Sequence, residues 1–127
     1  MTAPAWMNAV IADFGRAAGV NGLALNASGA SAIKFSNGSS FRFEYTGEEL
    51  VVSMSFKIAH SVSSIRRLLS IANPKALRGV RFRAGILPKT GAAIVAVRLP
   101  ERDVTLPVVN SVFSALWRLA EEIGGIA

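Results

Sequence analysis

The sequence predicts an α+β fold: a mostly antiparallel twisted sheet with helices packed on it, in the order α-β-β-β-α-β-β-α. Three observations predict it. Amphipathic stretches of helical period lie at both ends and near the middle of the chain. Between them run short segments of strict apolar–polar alternation, closed by Gly-containing turns. The whole is 127 residues with 51% hydrophobic and 17% charged side chains, enough for one cored domain over 1–127 and too apolar for a disordered chain.

The first helix is expected over 4–18, where Trp6, Met7, Val10, Ile11, Phe14 and Ala18 recur at spacings of three and four. Pro4 suits a first turn and Gly19 a helix stop. The small-residue stretch that follows has room for one short strand at Gly22–Leu25, but its glycines lead to no Lys-Ser/Thr pair, so it is not a phosphate loop. Ala32–Ser36 alternates Ile33 and Phe35 against Lys34, and Asn37-Gly38 is a hairpin signal. Phe41, Phe43 and Tyr45 alternate with Arg42 and Glu44. After Thr46-Gly47-Glu48, Leu50, Val52, Met54 and Phe56 give a third strand with a heavy apolar side.

His60–Asn73 carries a helical stripe of Val62, Ile65, Leu68, Leu69 and Ala72, and Pro74 ends it. Val80, Phe82, Ala84 and Ile86 alternate with Arg81 and Arg83 in a fourth strand. Ala93–Leu99 is apolar on nearly both faces, which predicts a central or doubly covered strand. The last helix begins with Asp103 or Thr105 as cap and Pro107 in its first turn. Val109, Val112, Phe113, Leu116, Ala120 and Ile123 form its stripe, and Gly124-Gly125 stops it.

Reactive groups are scarce. There is no Cys, which suits a reducing cytoplasm, and His60 is the single histidine, placed at a helix start among serines. The paired acids Glu48-Glu49 and Glu121-Glu122 are neighbours in a turn and at a helix end, where carboxylates are ordinarily solvated. No set of ligands for a metal or cofactor gathers in the sequence, and no catalytic constellation does. The residues therefore point to a binding protein with no cofactor and no enzymatic role. No apolar run reaches the roughly 18 residues of a membrane span, and the N-terminus lacks the basic start of a signal peptide.

The net charge of +6 is unevenly placed, since no acid lies between Glu49 and Glu101 while Lys57, Arg66, Arg67, Lys75, Arg78, Arg81, Arg83, Lys89 and Arg98 do. Such a block can attract phosphates or an acidic protein surface, so a small nucleic-acid-binding protein is the alternative reading. Against it, Phe82 alternates with the arginines and faces away from them, and Phe41, Phe43 and Tyr45 are better used under a helix.

The final third carries a resemblance. Arg83-Ala84-Gly85, then Leu99 through Glu101-Arg102-Asp103-Val104-Thr105-Leu106-Pro107, then the helix Val108–Ile123 with Phe113, Leu116 and Leu119, resemble the class I chaperones of bacterial type III secretion. The family has the CesT/SycE-like fold, and the chain is most similar to its SycN type. Trp6, Phe14 and Gly19 are similar in a weaker way, and the match is good over about 45 residues, architectural elsewhere. The resemblance implies a cytoplasmic dimer, homodimeric or heterodimeric with a second small chaperone, around which the N-terminal segment of a secreted effector or gatekeeper protein wraps. It implies a subunit contact at Ile65, Leu68, Leu69, Val80 and Phe82, and apolar substrate patches at Trp6, Phe35, Phe41 and Phe43. Family members are commonly acidic, whereas this chain has an isoelectric point near 10.8. An acidic partner chain or an acidic substrate segment would each accommodate the difference.

Overall fold

The computed structural model describes residues 3–36, 38–57, 82–86 and 91–122, the side chains of Phe82 and Glu122 excepted. Helix α1 spans Ala5–Ala17, with Pro4 just before it. Its buried face is Met7, Ile11, Phe14 and Gly15, whereas Trp6 remains 45% exposed. The helix breaks where expected, Gly19 taking a φ of 85° that a side chain would resist. The returning loop passes so close to the helix that a Cβ on Gly15 would sit 2.7 Å from Leu23 Cβ and 2.8 Å from the Val20 carbonyl oxygen. Gly15 is thus a contact residue, a role its place in the helical repeat does not reveal.

The expected short strand at Gly22–Leu25 does not form. Leu23 and Leu25 still alternate into the core, but the Leu25 N–H donates to Asn8 Oδ1 at 2.9 Å instead of to a neighbouring strand. Asn26 then turns the chain: its Oδ1 accepts from the backbone N–H groups of Ser28 and Ala30, both at 3.0 Å.

Five strands follow: β1 (Ala30–Lys34), β2 (Ser40–Tyr45), β3 (Glu49–Phe56), β4 (Phe82–Ile86) and β5 (Ala93–Pro100). They form one antiparallel sheet in the spatial order β1-β2-β3-β5-β4. The doubly apolar strand β5 is interior, as its composition predicts, paired from Phe56↔Ala93 to Glu49↔Pro100 with β3. Because β3 and β4 are both antiparallel to β5, they run parallel to each other across it. The expected helix His60–Asn73 falls in that connection, outside the described residues.

A short 3₁₀ turn (Glu101–Asp103) leads to helix α2 (Leu106–Glu122). Thr105, not Asp103, is the cap: its Oγ1 accepts from the Val108 N–H at 3.3 Å and its carbonyl from the Val109 N–H at 2.9 Å. Val109, Val112, Leu116 and Ala120 are buried; Phe113 is only half-buried, and Ile123 lies outside the described residues. The three larger buried side chains contribute roughly 1.5–3 kcal/mol each.

Both helices cover the same sheet face, whose lining is Phe41, Phe43, Leu50, Val52, Met54, Phe56, Val95 and Val97. The ring of Phe14 joins the layers, 5.6 Å from Phe41, 5.7 Å from Phe43 and 5.3 Å from Phe113. At the sheet end, the Tyr45 hydroxyl lies 3.0 Å from the Gly47 carbonyl and 3.3 Å from Glu101 Oε2. Burial first, and then the Glu101 carboxylate, raise that hydroxyl above its ordinary pKa of 10.0, so it stays a neutral donor.

Replacing a helical glycine with alanine ordinarily stabilises a helix by about 1 kcal/mol. The close approach at Gly15 reverses the sign, and Gly15→Ala is expected to lower stability by about 1–3 kcal/mol in urea denaturation.

Candidate binding surfaces

Among the described residues no group of three or more His, Cys, Asp or Glu side chains comes together, and His60 lies outside them. One paired acid departs from expectation. Glu49 is not a solvated turn residue; it opens β3, is partly buried, and its carboxylate accepts from the Arg98 guanidinium of β5 at 2.5 Å.

The expected apolar substrate patch divides in two. Phe41 and Phe43 have no exposed surface at all, because β2 turns its aromatic side inward under Phe14. In this conformation both belong to the core and present no surface of their own. Trp6 and Phe35 do reach the surface, the first largely exposed and the second half-buried. Phe35 stands 5.1 Å from Trp117, edge to face, and 6.2 Å from Phe113, while Phe113 and Trp117 are 5.8 Å apart. An aromatic seam thus climbs from the core (Phe14, Phe41) through Phe113 to Phe35 and Trp117 at the surface. Trp117 was not singled out in the sequence; its signal is the four-residue step from Phe113, at the margin of the buried stripe.

The seam lies beside β1, which ends the sheet and is paired on one side only among the described residues. Gly29 O accepts from the Tyr45 N–H at 2.8 Å, and the Phe35 N–H donates to Ser39 O at 2.9 Å. The antiparallel alternation therefore points the backbone of Ala30, Ala32 and Lys34 away from β2. Ala30 is satisfied by Asn26, whose Oδ1 takes its N–H and whose own N–H donates to its carbonyl at 2.8 Å. Ala32 and Lys34 keep outward N–H and C=O groups with no partner among the described residues.

At the other end of the sheet is β4, paired on one side only among the described residues. Phe82 opens it, and Ile86 closes it at 39% exposure. The remaining expected subunit-contact residues, Ile65, Leu68, Leu69 and Val80, lie outside the described residues. No described helix is long and apolar enough to cross a membrane.

A family model, the type III secretory system chaperone SycN, matches residues 6–124. No curated protein matches the sequence. Among solved structures, the ExsC–ExsE complex superposes with a TM-score of 0.74 at 18% identity, covering 95% of this chain and 92% of that one. The Yersinia pestis type III secretion chaperone SycH, solved with a stable fragment of YscM2, gives 0.69 at 18% identity over 95% and 99%. The HopA1–SchA chaperone–effector complex gives 0.67 at 18% identity over 93% and 90%. At such identities the likeness establishes the fold, which is the α+β class expected from the sequence.

The division between surface and core aromatics has a direct check. Phe41→Ala should cost about 3–5 kcal/mol of stability. Trp6→Ser should change it by no more than about 0.5 kcal/mol in the same denaturation assay.

Proposed function

The chain belongs to the SycN family of type III secretory system chaperones, and from that premise we propose that it is a cytoplasmic chaperone holding the N-terminal segment of a secreted gatekeeper protein. It does so as one half of a dimer, and it keeps the segment extended, soluble and ready for export. The observation that carries this reading is the juxtaposition of an unsatisfied strand edge with a surface aromatic seam. A segment laid along β1 can exchange backbone hydrogen bonds with Ala32 and Lys34. Its side chains on the helix-covered side then meet Phe35 and Trp117, with Trp6 on α1 as a further apolar contact.

Magnitudes show why both elements are needed. Each new backbone hydrogen bond contributes roughly 0.5–1.5 kcal/mol net, so two residues of edge supply at most about 6 kcal/mol. Ordering a disordered segment costs roughly 2–5 kcal/mol, which consumes most of that. The surplus has to come from apolar area, at roughly 25 cal/mol per Å² buried. Neither nucleotide nor metal enters this scheme, since no bond is made or broken.

The dimer contact is proposed at Phe82, which opens β4, together with Val80, Ile65, Leu68 and Leu69, which lie outside the described residues. That leaves the β1 edge of each subunit open for the substrate. The partner is expected to be a second, different small chaperone, whose acidic surface would offset the +6 charge of this chain.

Co-expression with the N-terminal region of the gatekeeper encoded beside the secretion apparatus tests the reading. The expected product is a stable complex on size exclusion with light scattering, lost or weakened about tenfold by the double substitution Phe35→Ala, Trp117→Ala. A wild-type chain that stays monomeric and ignores that segment in the presence of its neighbouring small chaperones contradicts it. Phe82→Asp is expected to abolish dimerisation while leaving the far-UV circular dichroism spectrum in place.

A further inference from the structure

The basic stretch between Glu49 and Glu101 is not used by the β1 edge, and part of it gathers elsewhere. A cleft of about 720 Å³ opens where β5 runs past the described part of β4 into the 3₁₀ turn and the start of α2. Three arginines from three elements line it: Arg83 of β4, Arg98 of β5 and Arg102 of the turn. Pro100 and Val108 are among its apolar walls. Two acids, Glu49 and Asp103, are also present. The carboxylate of Glu49 is engaged with Arg98 at 2.5 Å. Arg83 and Arg102, both exposed, have no ion-pair partner among the described residues.

The geometry points to a second anchoring point for the bound polypeptide, one that takes Asp or Glu side chains flanked by apolar ones. This rests on the chaperone reading above and names the chemistry of the segment that it holds. Two free guanidiniums beside apolar walls match a carboxylate next to an apolar side chain, and bidentate Arg–carboxylate pairing suits them better than it would lysines. A nucleic acid fits less well. The described lining has no aromatic ring on which a base can stack. The chain-wide excess of six positive charges adds long-range attraction for an acidic segment.

The sheet order sets a spacing rule. From β1 to β4 there are four inter-strand steps in the order β1-β2-β3-β5-β4, or about 19 Å at roughly 4.8 Å each. An extended chain covers that distance in about six residues. The acidic part of the substrate is therefore separated from its strand-forming apolar part by at least about six residues.

Selection of displayed random peptides of about 15 residues on the purified full chain tests this, with the double variants Arg83→Glu, Arg102→Glu and Arg83→Gln, Arg102→Gln alongside. The expected result is an enriched pool with Asp and Glu well above their frequency in the library. A resynthesised member should bind the charge-reversed variant about tenfold more weakly and the Gln variant to an intermediate degree. Its affinity for wild type should fall as salt rises from about 50 to about 500 mM. Enriched peptides without excess acid, or equal binding to wild type and both variants, overturn the inference and leave the chaperone reading standing. Tighter binding of a single-stranded oligonucleotide of similar length through the same arginines overturns it in favour of a phosphate site. A wild-type chain that enriches no peptide at all overturns the inference, while the co-expression test above decides the chaperone reading.

Discussion

The packing of one aromatic ring against three others organises this molecule. Phe14 of α1 contacts Phe41 and Phe43 of β2 and Phe113 of α2, so a single side chain ties both helices to the sheet. With those two helices on one face, the aromatic side of β2 is covered and Phe41 and Phe43 are buried. That closure also fixes what is left over. Because Phe41 and Phe43 are consumed in the core, the aromatics able to reach outward are those at its margin, Phe35 and Trp117, together with Trp6. The seam is continuous with the core, which gives it rigid backing: a ligand resting on Phe35 and Trp117 meets side chains already held by their neighbours. Preorganisation of this kind reduces the ordering cost on the protein's side of a complex.

The same arrangement explains how a chain with few reactive groups can still be selective. Its polar features are backbone features: the outward N–H and C=O groups of Ala32 and Lys34, held in register by the Asn26 turn on one side and the Phe35–Ser39 hydrogen bond on the other. An edge strand is ordinarily an aggregation hazard, and this one is kept to five residues with a lysine near its end. The anchor proposed at the Arg-lined cleft, on the far side of the sheet, would add charge recognition at a distance from the edge. Two separated anchors reward a long extended partner and discriminate against compact ones.

Much of the architecture was legible in the alternation of residues. β2 and β3 could be read residue by residue, as could the burial of β5, because a period of two leaves little room for error when one face is aromatic. Helix α2 was legible through its stripe, and its cap was narrowed to Asp103 or Thr105, of which the structure selects Thr105. What the sequence could not convey is which of several similar aromatics is deepest. Phe35, Phe41 and Phe43 look alike in a pattern of alternating residues; only the position of α1 above β2, a contact between segments roughly 30 residues apart, buries two of them and spares the third. The same limit hid Gly15, whose role depends on the loop that returns over it, and Glu49, whose partner Arg98 comes from a strand 49 residues later. The absent strand at Gly22–Leu25 is a further case. Alternating burial was there, but the hydrogen-bond partner was a side chain, Asn8, and a lone amide cannot make a ladder.

The central claim is that the free edge of β1 receives an extended polypeptide. Amide hydrogen exchange at Ala32 and Lys34, followed as the gatekeeper's N-terminal segment is added, tests it at the atoms concerned. The account predicts that these two amides pass from rapid exchange to strong protection, while Ser31 and Ile33, already paired with β2, change little. Unaltered exchange at Ala32 and Lys34 in a saturated complex would contradict it.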